Sequence, residues 1–184
     1  MSAVSKSPAS SRDARDAKAN VKIVAPRKKE IPVLVLVDPK DSRAVRNKDN
    51  ILAWYDLMIN KKRSEEAAAT FVAPGYIQHN PLIPTGGDAL GKFFGQTLKE
   101  RTRPRVEVHK IIAIGDYVWA HVTFLNLFND DPQDTGVAGV DIYKMNVDGK
   151  ATEHGDTLQL VGDPKNSAPW VGPNIPCANQ NGMF

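Results

Sequence analysis

Two periodicities divide the chain. Over residues 48–60 (KDNILAWYDLMIN), Ile51, Leu52, Tyr55, Met58 and Ile59 recur at helical spacing and predict an amphipathic helix. Ser64, read as an N-cap, opens a shorter helix to Phe71, and Pro74-Gly75 closes it. YIQHNPLIPTGG then reads as a short extended piece and a loop. Thr85 and Asp88 form a capping-box-like pair that opens a helix over 86–101, with Leu90, Phe93, Phe94 and Leu98 as its apolar side. From Arg105 the period changes to two. Strands are predicted over 105–114, 117–128, 137–147 and 150–161, with Asp148-Gly149 as the strongest hairpin signal. Upstream, IPVLVLV at 31–37, closed by Asp38-Pro39, reads as a strand that pairs with a sheet edge or a partner subunit. Helices followed by an antiparallel meander make an α+β domain, a curved sheet with helices on one side. Such a sheet leaves a concavity, where ligand pockets form.

Charge divides the chain differently. Residues 1–50 hold twelve of the 24 Lys and Arg against six of the 21 acids, so the remaining body is mildly acidic. That argues against a nucleic-acid partner, since the basic excess lies in a leader and not on the folded domain. Residues 1–30 are rich in Ser, Ala, Lys and Arg, with few large apolar groups, and are predicted to be disordered. The organisation expected is a basic leader over 1–46, a domain over 47–161 and a tail over 162–184. No apolar run reaches the ~18 residues of a membrane span. A cytoplasmic protein with no membrane partner is expected. The single cysteine, Cys177, excludes an internal disulfide and a multi-cysteine metal site.

The hairpin around Asp148-Gly149 carries the strongest chemical signal. As a two-residue turn it sets Val147 opposite Lys150, Asp141 opposite Asp156, and Tyr143 opposite His154. Asp141, Tyr143, His154, Asp156 and Leu158 then share one face. Directly facing carboxylates ~4.5–5.5 Å apart at their β-carbons repel each other. In a dry site one of them is held protonated, which suits a general acid or base. Gln78, His79 and Asn80 can donate to an anion or carbonyl, and Pro81 holds Asn80 extended. His109, between Glu107 and Lys110 in an alternating run, reads as a solvated strand residue. His121 lies in the apolar run WAHVTF, as a core or pocket residue. No metalloprotease, phosphate-loop, dinucleotide or nucleophile-elbow motif occurs, so no cofactor or metal is expected.

YIQHNP, the Phe93-Phe94 helix, GDYVWAHVTF, VDIYKMNVDGK and EHGDTLQ together resemble the SnoaL-like polyketide cyclases, of the nuclear-transport-factor-two-like superfamily. The resemblance spans residues 47–161, and the closing ANQNGMF also looks like tails of that group. It implies a cone-shaped sheet around a pocket, a homodimer, and cofactor-free acid–base chemistry on a small hydrophobic carbonyl substrate, with ring closure by aldol condensation. It places the catalytic acid/base on Asp156, with His154 its motif neighbour, and matches Asp141, His121, His79 and Asn80 to family positions. Gln78, Tyr143 and Trp119 complete the expected substrate contacts. Gly155 departs from the pattern, where the family commonly has Trp. By alternation residue 155 points away from the Asp156 face, unless the glycine marks a bulge. A non-catalytic binding or assembly module of the same fold is the alternative reading, and metal-dependent hydrolysis is a third.

Overall fold

A computed structural model describes residues 32–162 and 181–184. The disorder expected over 1–30 and most of the 162–184 tail lie outside these residues. Asp41 starts the first helix: its carboxylate accepts from the Arg43 and Ala44 N–H groups. Helix α1 (Ser42–Tyr55) therefore begins six residues before the predicted start at Lys48, because the cap and not the first apolar residue sets the end. It runs into a π-helical turn, Asp56–Asn60. Helix α2 (Ser64–Phe71) has Ser64 as its first residue and not as its cap; the hydroxyl donates to the Met58 carbonyl. Helix α3 (Gly87–Lys99) forms without the expected capping box. Gly86 caps it at φ 92°, a conformation that suits glycine, and Thr85 Oγ1 accepts the Gln78 N–H instead.

Six strands form one sheet: β1 (Leu34–Val37), β2 (Val72–Gln78), β3 (Arg105–Ile114), β4 (Tyr117–Leu125), β5 (Val137–Met145) and β6 (Ala151–Leu160), in the order β1-β3-β4-β5-β6-β2. The central four are the expected antiparallel meander. The two edges are parallel, so the sheet is mixed, not wholly antiparallel: β1 lies along β3 and β2 along β6. The second helix ends directly in β2, which accommodates Pro74-Gly75 as an irregularity; its register with β6 shifts between Val72 and Ile77. An open α+β sheet with three α-helices on one face results. Its core joins Ile51, Tyr55, Leu90 and Leu98 of the helices to Ile111, Val118 and Val122 of the sheet. No helix among the described residues is long and apolar enough to cross a membrane.

The hairpin differs from expectation in its turn but not in its pairing. Asn146 N–H donates to the Lys150 carbonyl at 2.8 Å, and Gly149, at φ 77°, donates to the Asn146 carbonyl at 3.0 Å. The turn is thus three residues, Val147 to Gly149. Met145 pairs with Ala151 and Lys144 with Glu153, which leaves Thr152 as an extra, bulged residue. The bulge restores the register that a two-residue turn would have set. Beyond it Tyr143 faces His154 and Asp141 faces Asp156.

Candidate active site

A cavity of about 420 Å³ lies between the sheet and the helices. Trp54, Tyr55, Met58 and Ile59 supply one wall, Leu90, Phe93 and Phe94 of α3 a second, and Phe124 of β4 a third. Leu82, Phe128 and Leu158 are exposed and stand at its rim. The polar lining gathers at the inner end, where β5 and β6 bring Asp141, Tyr143, His154 and Asp156, and β2 brings Gln78 and Asn80. The parallel edge makes that meeting possible. Gln78 pairs with His154, and the His79 N–H donates to the His154 carbonyl at 2.8 Å.

The two facing carboxylates differ in environment. Asp141 is 1% exposed. Its Oδ2 accepts from the Tyr55 hydroxyl at 2.5 Å and more weakly from Tyr143 at 3.4 Å. Burial pushes its pKa up to about 7; the Tyr55 bond opposes the rise and the Asp156 charge adds to it. Asp156 is half-buried, and the Asn80 side-chain amide donates to both its oxygens at 2.9 Å. His154 is 7% exposed, and burial lowers its pKa to about 4, so it is neutral at physiological pH. Its Nδ1 lies 2.9 Å from Gln78 Oε1. Burial also raises the pKa of the Tyr55 and Tyr143 hydroxyls, which remain donors. The inner end therefore offers one carboxyl group steadied by an amide, and one that burial brings to titrate near neutral pH.

Three expected contacts do not reach the cavity. Strand β4 turns Val118, Ala120 and Val122 toward the helices, so Trp119 and His121 project from the opposite, outer face of the sheet. There Trp119 stacks on Tyr117. His121 lies beside His109, and Phe184 stacks on His109 with ring centroids 4.0 Å apart. His109 is accordingly buried and not solvated; its Nε2 lies 2.8 Å from Thr123 Oγ1. His79 is largely exposed and faces Glu153 at 3.7 Å. It follows Gln78 at the end of an extended strand, so alternation turns it away while Gln78 and Asn80 turn in. Gly155 lies on that same outward side, opposite Ile142, where an added Cβ would meet only His79 Cβ at 3.7 Å. A larger residue there would cover His79 and leave the cavity unchanged.

Sequence reading missed Tyr55, which supplies the closest contact to Asp141, and Tyr76, whose hydroxyl accepts from Gln78 Nε2 at 3.1 Å. The available signal was a tyrosine at a core position of the first helix, where a buried hydroxyl needs a partner.

A model of the SnoaL-like domain family matches residues 35–154. No curated protein matches the chain. Among solved structures, a candidate polyketide cyclase from Bacillus cereus ATCC 10987 is 22% identical, with 71% of this chain and 88% of that one covered at a TM-score of 0.58. An LEH-like epoxide hydrolase from M. tuberculosis is 15% identical, with 63% and 84% covered at 0.53. A candidate SnoaL-like polyketide cyclase from Jannaschia sp. CCS1 is 18% identical, with 66% and 91% covered at 0.52. At these identities the likeness is one of fold.

Proposed function

The chain belongs to the SnoaL-like domain family, and from that premise we propose that it is an acid–base enzyme acting on a hydrophobic carbonyl compound. One observation carries the reading: two carboxyl groups face each other in register at the polar end of an apolar cavity, one enclosed and bound by Tyr55, the other half-buried and held by Asn80. The apolar walls take the body of the substrate, and its carbonyl lies toward Asp141. Asp156 removes a proton from the carbon next to that carbonyl. The C–H electron pair becomes the C=C bond of an enolate, and the enolate oxygen accepts a hydrogen bond from the protonated Asp141. Asn80 keeps Asp156 aimed during the transfer. In ring closure the enolate carbon then attacks a second carbonyl of the same molecule. The new alkoxide takes the proton back from Asp156. Isomerisation or dehydration would use the same groups.

The outer sheet face supports a homodimer as the working unit. Ile112, Ile114, Tyr117, Val140 and Ile142 are all exposed there, and contiguous apolar surface of this kind marks an interaction site.

Turnover of a ring-closing carbonyl substrate by the Asp156→Asn variant tests the proposal. Loss of a general base reduces the rate by ~10²–10⁴-fold. Turnover within about threefold of the parent would make the cavity a binding site only.

A further inference from the structure

Two enclosed atoms at the inner end of the cavity, Asp141 Oδ1 and His154 Nε2, have no hydrogen-bond partner among the described residues, and the half-buried Asp156 carboxyl lies beside them. His154 Nε2 lies 3.9 Å from Asp141 Oδ2. One ligand atom each from Asp141, His154 and Asp156 lies within 4.8 Å of the others. Among the described residues, no Lys or Arg lines the cavity to balance them.

The hydrogen bonds around the cluster fix which His154 nitrogen is bare. A backbone N–H can only donate, so the Asn80 N–H, 3.0 Å from Gln78 Oε1, identifies that atom as the amide oxygen. His154 Nδ1 must then carry a hydrogen and donate to Gln78 Oε1. In the neutral ring, Nε2 is therefore a lone pair aimed at a carboxylate. Where Asp141 is ionised, that lone pair faces an anion in a dry space, an arrangement that a cation between them relieves. Orientation of a histidine by a carbonyl acceptor on its far nitrogen is also what supports metal-ligating imidazoles.

We propose that Asp141, His154 and Asp156 form a binding site for one divalent transition-metal ion. A mixed imidazole and carboxylate set suits Zn²⁺, Co²⁺ or Mn²⁺. Ligand bonds of about 2.0–2.2 Å require the three atoms to draw together. Half-buried Asp156, pivoting on Asn80, supplies that movement. Asp141 binds through Oδ1, and its Oδ2 keeps the Tyr55 bond. The remaining coordination positions open into the apolar cavity. The site rests on geometry alone and stands apart from the acid–base reading. Where that reading holds, a bound cation occupies the lone pairs that would accept the proton, and the ion inhibits.

The experiment is titration of the chelator-stripped full chain with Co²⁺, and separately Zn²⁺, by calorimetry and by the visible absorption of bound Co²⁺. Circular dichroism checks each variant's fold. The expected result is one ion per chain, with affinity reduced at least 100-fold in Asp156→Asn and in His154→Gln. Gln78→Leu, which removes only the histidine's support, should weaken binding about 10–100-fold. His109→Gln should leave binding unchanged, which separates this site from the outer-face pair His109 and His121. Three results would overturn the proposal: no saturable binding tighter than about 1 mM, binding untouched in folded Asp156→Asn and His154→Gln, or binding abolished by His109→Gln. Because the readout is metal and not turnover, failure here leaves the Asp156→Asn rate test standing.

Discussion

Asp141 and Asp156 are directly paired across the β5–β6 ladder, yet only Asp141 is closed off from solvent and bound by a tyrosine. That asymmetry makes stability depend on pH in a defined direction. The pKa of Asp141 rises on folding from 3.8 to about 7. Its contribution is fully present below pH 3.8 and is lost as pH rises toward 7, by up to ~1.4 kcal/mol per pH unit. Asp141→Asn should abolish this loss, so that above pH 7 the variant unfolds at a urea concentration equal to or higher than the parent. A variant less stable than the parent at pH 8 would show that Asp141 is not strained by ionisation.

His154 acts in the opposite sense over an overlapping range. Its pKa falls on folding from 6.5 to about 4, so its contribution is complete above pH 6.5 and is lost as pH falls. Between pH 4 and 6.5 the two slopes oppose each other. The parent should therefore show a shallow profile there. His154→Gln should unmask stability that declines with rising pH, and Asp141→Asn stability that increases with rising pH. Burial also lowers the pKa of His109 and His121, which steepens the second slope. Urea midpoints measured across this range give both signs directly.

Tyr55→Phe removes the shortest contact to Asp141 without changing the ring that packs beneath it. A buried carboxyl that loses a donor costs about 1–3 kcal/mol. Because the Tyr55 bond holds the Asp141 pKa down, its loss pushes that pKa higher. The alkaline limb of the kcat profile should move to higher pH while kcat at its optimum falls. An unmoved limb would separate Asp141 from the ionisation that controls turnover.

Ile142→Lys tests the dimer. Ile142 is exposed at the middle of the outer face, opposite Trp119 and Gly155 and remote from the cavity lining. A buried charge at a self-complementary contact is placed twice, so the substitution should convert a dimer to a monomer in sedimentation velocity, with the far-ultraviolet circular dichroism unchanged. A parent that sediments as a monomer at all concentrations would remove the dimer from the proposal.

Legibility in the sequence followed the range of the forces involved. Helical and strand periodicity placed α2, α3 and the four-strand meander close to their observed limits, because those patterns are local. The Asp141–Asp156 pairing was also legible, although through a turn that the chain does not make; the Thr152 bulge supplied the missing residue. Strand β2 was hidden because Pro74 and Gly75 break the local pattern, and its partner β6 lies more than seventy residues away. Trp119 and His121 were misplaced because alternation tells which residues share a side but not which side the helices cover. Tyr55 was read as one apolar position among several, since its hydroxyl has meaning only once Asp141 arrives from β5.

Ala151 and His154 have opposite parity along one strand, yet both are buried. Thr152 resets the phase between them. The aim of His154 and Asp156 is thus decoupled from the loop that precedes them. Excising Thr152 alone would leave Glu153 beside Lys144 and the acids still inward, in a straighter ribbon. Shortening the loop by one residue while keeping Thr152 would leave a two-residue turn between Asn146 and Lys150, with every pair beyond it unchanged. Single-residue deletions in the loop or at Thr152 should therefore be tolerated, whereas loss of Gly155 would move Asp156 to the outward position opposite Ile142.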